Sequence, residues 1–160
     1  MKKLEFAVSV LLENPQNENE ILIVKRPPDD RSLPNVWGLP TVVSEGELPE
    51  KTVRRVGREK LTTAIQPKLF VGIKYADRGD YELILMVVKA RLIGKEPSVF
   101  DAETKGVKYV DQKWISDYHI LKEGASKGSL CDQIVLESKN IWIFATIMAL
   151  SWLRETDTYL

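Results

Sequence analysis

The stretch Trp37 to Gln66, WGLPTVVSEGELPEKTVRRVGREKLTTAIQ, constrains this chain more than any other. It holds a short extended segment, a turn at Gly46-Glu47, and then a helix that its own residues start and orient. Pro49 suits the first turn of a helix, where its missing N–H costs nothing, and Glu50 favours the positive end of the helix dipole. Leu48 is a poor N-cap and Gly57 inside the helix costs about 1 kcal/mol relative to alanine, so the element depends on packing. The spacing predicts an amphipathic helix over Leu48 to Ala64, with Val53, Val56, Leu61 and Ala64 turned inward. Glu50 with Arg54, and Arg55 with Glu59, stand four apart, where opposite charges meet on one helix face.

This layout resembles the box of the Nudix hydrolases, G-x5-E-x7-R-E-U-x-E-E-x-G-U with U a bulky aliphatic. Without gaps the slots fall on Thr41, Glu47, Arg55, Val56, Gly57, Arg58, Glu59, Lys60, Leu61, Thr62 and Thr63. Glu47, Arg55 and Glu59 agree with the pattern, as do the preceding Trp37-Gly38-Leu39-Pro40 and the Pro49-Glu50 helix start. Thr41 and Thr62 replace glycines, Val56 and Lys60 replace glutamates, and Gly57 replaces an aliphatic.

The resemblance implies cleavage of a nucleoside diphosphate linked to another group, with Glu59, Glu47 and Arg55 as the catalytic candidates. Such hydrolysis needs a divalent cation to neutralise phosphate and acidify water. Magnesium takes oxygen ligands in near-octahedral geometry, and positions i, i+3 and i+4 of a helix share one face. Here those positions are Val56, Glu59 and Lys60, whose formal charges cancel where the pattern carries three carboxylates. Two unit charges about 4 Å apart at an effective dielectric near 20 interact by roughly 4 kcal/mol, so an ammonium in a ligand slot repels the metal. The expectation is an impaired site with weakly bound magnesium or manganese and weak activity. The alternative is a catalytically silent module that binds a nucleotide or another phosphorylated ligand, or a protein.

Further candidates lie around the box. Arg26 leaves a strand into a Pro-rich loop, matches a phosphate-binding position of the family, and offers a planar fork of donors. Lys60 could itself meet a ligand phosphate, or pair with Glu59 or face water. Trp37 could stack on a base, although core packing is the commoner role of such a residue. Asp101 and Glu103 stand where the family often carries a downstream carboxylate, which makes Glu103 the second metal candidate beside Glu59.

The rest of the chain frames this site. Phe6–Leu12 and Ile21–Lys25 read as strands around a turn at Asn14–Glu20, and Arg26–Asn35 as a loop. Ile65–Tyr75 and Tyr81–Leu92 read as a hairpin through Ala76–Asp80, Val107–Val110 as a short strand, and Trp114–Tyr118 as a turn of helix. Ser129 to Arg154 reads as a long helix. The expected class is α/β, a mixed sheet sandwiched between helices, in one domain spanning 1–160 with its core at about 6–118 and a helical extension at about 123–155. In the last helix Ile141 to Leu150 is apolar almost all round, so it is either enclosed by the domain or buries a face against a second chain as a homodimer.

Composition excludes several classes. Lys plus Arg and Asp plus Glu number 23 each, so no global field gathers nucleic-acid polymers or an anionic membrane. The apolar run is too short for the roughly 20 residues that span a bilayer. His119 and Cys131 are the only residues of their types, which precludes a histidine triad or an intrachain disulfide and fits a reducing, cytoplasmic setting. No phosphate-binding Walker loop or dinucleotide glycine fingerprint is present.

Overall fold

The computed structural model describes residues 1–140. Within them a seven-stranded mixed sheet separates two helical layers, as the α/β expectation requires. The strands are β1 (Lys3–Asn14), β2 (Asn17–Lys25), β3 (Trp37–Gly38), β4 (Thr41–Val43), β5 (Ile65–Asp77), β6 (Tyr81–Leu92) and β7 (Asp111–Ile115). Helix α1 (Pro49–Lys60) lies on one face; a 3-10 turn (Tyr118–Leu121), α2 (Lys122–Ser126) and α3 (130–140) follow β7.

Strand β1 lies at the centre because it can be buried on both faces. Val8, Val10 and Leu12 point to the core shared with Val53 and Val56 of α1. Ala7 and Leu11 point to the core shared with Leu130 and Ile134 of α3. A strand covered on both sides reads as a continuous apolar run, as AVSVLL does here. β1 runs parallel to β6 from Lys3↔Tyr81 to Glu13↔Arg91, and β5 returns antiparallel along β6.

The feature that positions the site is a splay between β1 and β2. The two pair only near their hairpin, at Glu13↔Ile21 and Asn14↔Asn17, and then diverge. The segment 37–43 fills the gap: Trp37–Gly38 pair with β2, Thr41–Val43 pair with β1, and the Val10 amide donates to the Pro40 carbonyl (2.9 Å). Its exit through 44–48 delivers the chain to the start of α1.

Several expected boundaries move. Strand β2 starts at Asn17, inside the segment expected as a turn. Helix α1 stops at Lys60 rather than Ala64, because Thr62 takes a left-handed φ of 53° and the Thr63 amide turns back to the Gly57 carbonyl (3.1 Å). Gly57 is needed there, since a Cβ would stand 2.7 Å from Ile65 and 2.8 Å from the Thr63 carbonyl oxygen. The strand expected at Val107–Val110 is loop, and the ladder with β2 begins one residue later, at Lys25↔Asp111. Tyr109 is buried in the core from that loop, which imitates strand alternation. Trp114 and Ile115 accordingly end β7, and the helical turn starts after Asp117, whose side chain caps it by accepting from the His119 amide. Trp142, Phe144 and Met148, with the rest of the apolar run, lie outside the described residues. Among the described residues no helix is long and apolar enough to cross a membrane.

Candidate functional site

Arg55 organises the box. Its side chain is buried under the start of α1, and its guanidinium donates to the Val43 carbonyl (2.7 Å), to Glu47 through Nε (2.9 Å), and to Glu59 through Nη1 (3.2 Å). One arginine thereby ties β4, the 44–48 loop and α1 together, and brings Glu47 and Glu59 to a common centre. Charge-assisted bonds of this kind are about twice as strong as neutral ones. Its hydrogen bonds hold the Glu47 carboxyl below the usual carboxylate range.

One turn on, Lys60 is buried. Its ammonium donates to the Val107 carbonyl (2.7 Å) and lies 5.8 Å from the centre of the Tyr109 ring. It therefore does not project into water. Burial pushes its pKa down to about 8; Glu59 opposes that shift, and Arg26 and Arg55 add to it. Gly106 stands beside the ammonium, where a Cβ would come within 3.3 Å of Nζ.

Above Gly106 opens a cleft of about 830 Å³, lined among others by Arg26, Arg31, Phe100, Lys108 and Tyr109. Arg26 pairs with Asp30 at 3.1 Å. Asp30 also accepts from the Ser32 and Leu33 amides, so the Pro-rich loop is folded around this carboxylate and presents Arg26 at the cleft. The Tyr109 hydroxyl accepts from the Thr41 amide (3.0 Å), which fastens the cleft wall to the segment in the splay. Arginine and lysine side chains above an aromatic floor can hold an anion with an attached planar group.

The candidates thus fall into four places. Arg55, Glu47 and Glu59 form one hydrogen-bonded cluster. Arg26 lines the cleft, whereas Lys60 is buried behind its wall, where its ammonium reaches Val107 and stands beside Gly106, both of which line the cleft. Trp37 pairs with Lys25 on the opposite face of the sheet, half-buried against the α3-side core, with Lys113 4.5 Å from its ring centre. It is not part of the cleft wall. Glu103 is exposed on the loop that leads to Gly106.

A tightly held magnesium or manganese ion does not fit this donor set. The Val56 side chain is fully buried in the core, Lys60 presents an ammonium, and both Glu47 and Glu59 are engaged by Arg55. Among the described residues no group of three or more His, Cys, Asp or Glu side chains converges.

Reading the sequence alone missed Asp30, Tyr109 and Asp132. The first two carry ordinary loop chemistry and strand-like alternation. Asp132, fully buried with one carboxylate oxygen unpartnered, lies three residues after Ser129, a helix-start spacing that was the available signal.

A family model, the NUDIX domain, matches residues 3–129. Among solved structures the chain is similar to a MutT protein from Methanosarcina mazei Go1, with a TM-score of 0.64 and 16% identity over 87% of this chain and 95% of that one. It is also similar to a Nudix hydrolase from Nitrosomonas europaea, with a TM-score of 0.62 and 17% identity over 87% and 90%. At such identities the likeness speaks for the fold alone. No curated protein matches the chain.

Proposed function

The chain belongs to the Nudix family, and from that premise we propose that it binds a small phosphorylated ligand, a nucleotide or a related diphosphate, at the Arg26–Tyr109 cleft, with its metal-dependent hydrolysis impaired. The observation that carries this reading is Lys60. An ammonium held at 2.7 Å by the Val107 carbonyl stands in a slot that the family pattern gives to a metal-binding carboxylate. Nudix hydrolases generally use divalent metal ions. Here the ammonium supplies positive charge without one, and Arg26 supplies a fork of donors for phosphate oxygens.

In this reading Arg55, Glu47 and Glu59 brace the box. Residual hydrolysis, with magnesium or manganese held weakly by Glu59 and Glu103, is the second reading, favoured by Glu59 being a third exposed on its side chain. We take 1–160 as one domain that works in the cytoplasm as a homodimer, on the single buried cysteine and the apolar run after Asn140.

The test is calorimetric titration of magnesium and of manganese, with and without nucleoside diphosphates, alongside phosphorus NMR of the nucleotide over time. We expect heat from the nucleotide alone, none from the metals alone, and negligible turnover. A tight metal complex that Glu59→Gln abolishes, accompanied by turnover, overturns the reading in favour of a hydrolase.

A further inference from the structure

Helix α1 covers only part of its face of the sheet. Strand register extends that face outward: Phe6 pairs with Ile84 and Ile84 with Tyr75, while Val8 pairs with Met86 and Met86 with Ile73. Because directly paired residues share a face, Leu4, Phe6, Phe70, Ile73 and Tyr75 stand together with Val8 and Val10. These five are between 46% and 57% exposed. Half-exposed side chains of this size present on the order of 400 Å² of apolar surface, the scale that marks an interaction site. The patch ends at β5, which pairs with β6 alone and leaves its other edge open among the described residues.

The chain carries an apolar segment of matching character, Ile141 to Leu150, and its point of departure decides how it can be used. Helix α3 lies on the opposite face, with Ile134 over Gly72 and Lys74 bonded to Glu137 at 2.6 Å. The apolar run begins at residue 141, directly after that helix segment, so no linker precedes it. Layers packed on the two sides of a sheet stand about 10 Å from it, so roughly 20 Å separate this starting point from the patch. Crossing that distance around the β5 edge would consume about six extended residues, which are the apolar ones themselves. No glycine or proline occurs from 129 to 160 to mark a reversal. A second copy faces no such constraint, because a two-fold axis satisfies both exchanges at once.

We propose that the Leu4–Phe6–Ile73–Tyr75 face is the docking site for residues 141–150 of a second copy of this chain, exchanged reciprocally. It rests on the self-association proposed above and names its surface.

Two reporters, each with one introduced cysteine beside Cys131, test it: Ile73→Cys, and Thr146→Cys, which is nearly isosteric. One carries an affinity tag, and the mixture is treated with a short bis-maleimide. Cys131 is buried, with its thiol pushed up to about 11, and stays silent. The expected product is a mixed dimer cross-link, absent when Arg58→Cys on the outer side of α1 replaces Ile73→Cys. Ile73→Glu, which changes a half-exposed residue, is expected to weaken the dimer at least tenfold in sedimentation equilibrium. A dimer without the mixed cross-link overturns this surface while self-association stands. A monomer through the high-micromolar range overturns both. A monomer-sized cross-link within the double variant assigns the patch to the chain's own segment and also overturns the proposal.

Discussion

Replacing Lys60 with methionine removes a buried charge while keeping length and volume. Burial lowers this ammonium from 10.5 to about 8, and each unit corresponds to 1.36 kcal/mol, so holding the charged form at pH 7 costs the fold roughly 3 kcal/mol. Methionine lifts that cost but leaves the Val107 carbonyl without its donor, a loss of about 1–3 kcal/mol. At pH 7 the variant is therefore expected to be as stable as the natural protein or up to about 2 kcal/mol more stable. The pH dependence is sharper. With its pKa depressed in the native state, lysine binds more protons in the unfolded chain between about 8 and 10.5. The natural protein therefore gains stability as pH rises through that window, and the variant does not. Its advantage should shrink by about 2 kcal/mol from pH 7 to pH 9.5. Urea denaturation across that range measures the difference directly. Parallel stability curves would refute the claim that Lys60 is a desolvated ammonium.

Gly57→Ala should destabilise the protein by about 1–2 kcal/mol in thermal or urea unfolding, because overpacking against the Thr63 carbonyl oxygen outweighs the gain in helix propensity. A stabilised variant would mean that the turn yields. Burial raises the Asp132 carboxyl to about 7, so the native state holds a proton that the unfolded chain has released, and stability falls as pH rises from about 4 through 7. Asp132→Asn removes that fall, and above pH 7 it should be more stable by at most roughly 4 kcal/mol; denaturation curves that follow the natural protein at every pH would count against it. Arg55→Met strips the partner from Glu47 and Glu59 and is expected to cost about 3 kcal/mol, with the Glu47 carboxyl rising back toward its ordinary range in an NMR titration.

The sequence revealed the parts of the fold that depend on local pattern. The double-sided apolar run of β1, the β5–β6 hairpin around Gly79 and the Pro49 helix start all carry short-range signals, and the spacing from Glu47 to Arg55 and Glu59 anticipated the cluster they form. What could not be read depends on contacts distant in the chain. Nothing near Lys60 says that its ammonium will be received by a carbonyl 47 residues later. Nothing near Tyr109 says that it fills the core from a loop, which displaced the expected strand into β7. Gly57 looked like a weakness of the helix until the returning Thr63 backbone gave it a reason. Trp37 sat in the right segment for the cleft, but its strand register turns it to the other face.

The central claim is that positive side chains, Lys60 foremost, stand in for a metal at this site. Titration of a nucleoside diphosphate in EDTA, comparing the natural protein with Lys60→Ala, tests it most directly. Binding is expected that EDTA leaves unchanged, that weakens with added salt as the charges lining the open cleft are screened, and that falls about tenfold or more in the variant, as loss of a charge-assisted hydrogen bond implies. Absence of binding, equal affinity in both proteins, or binding that appears only when magnesium is restored would contradict it.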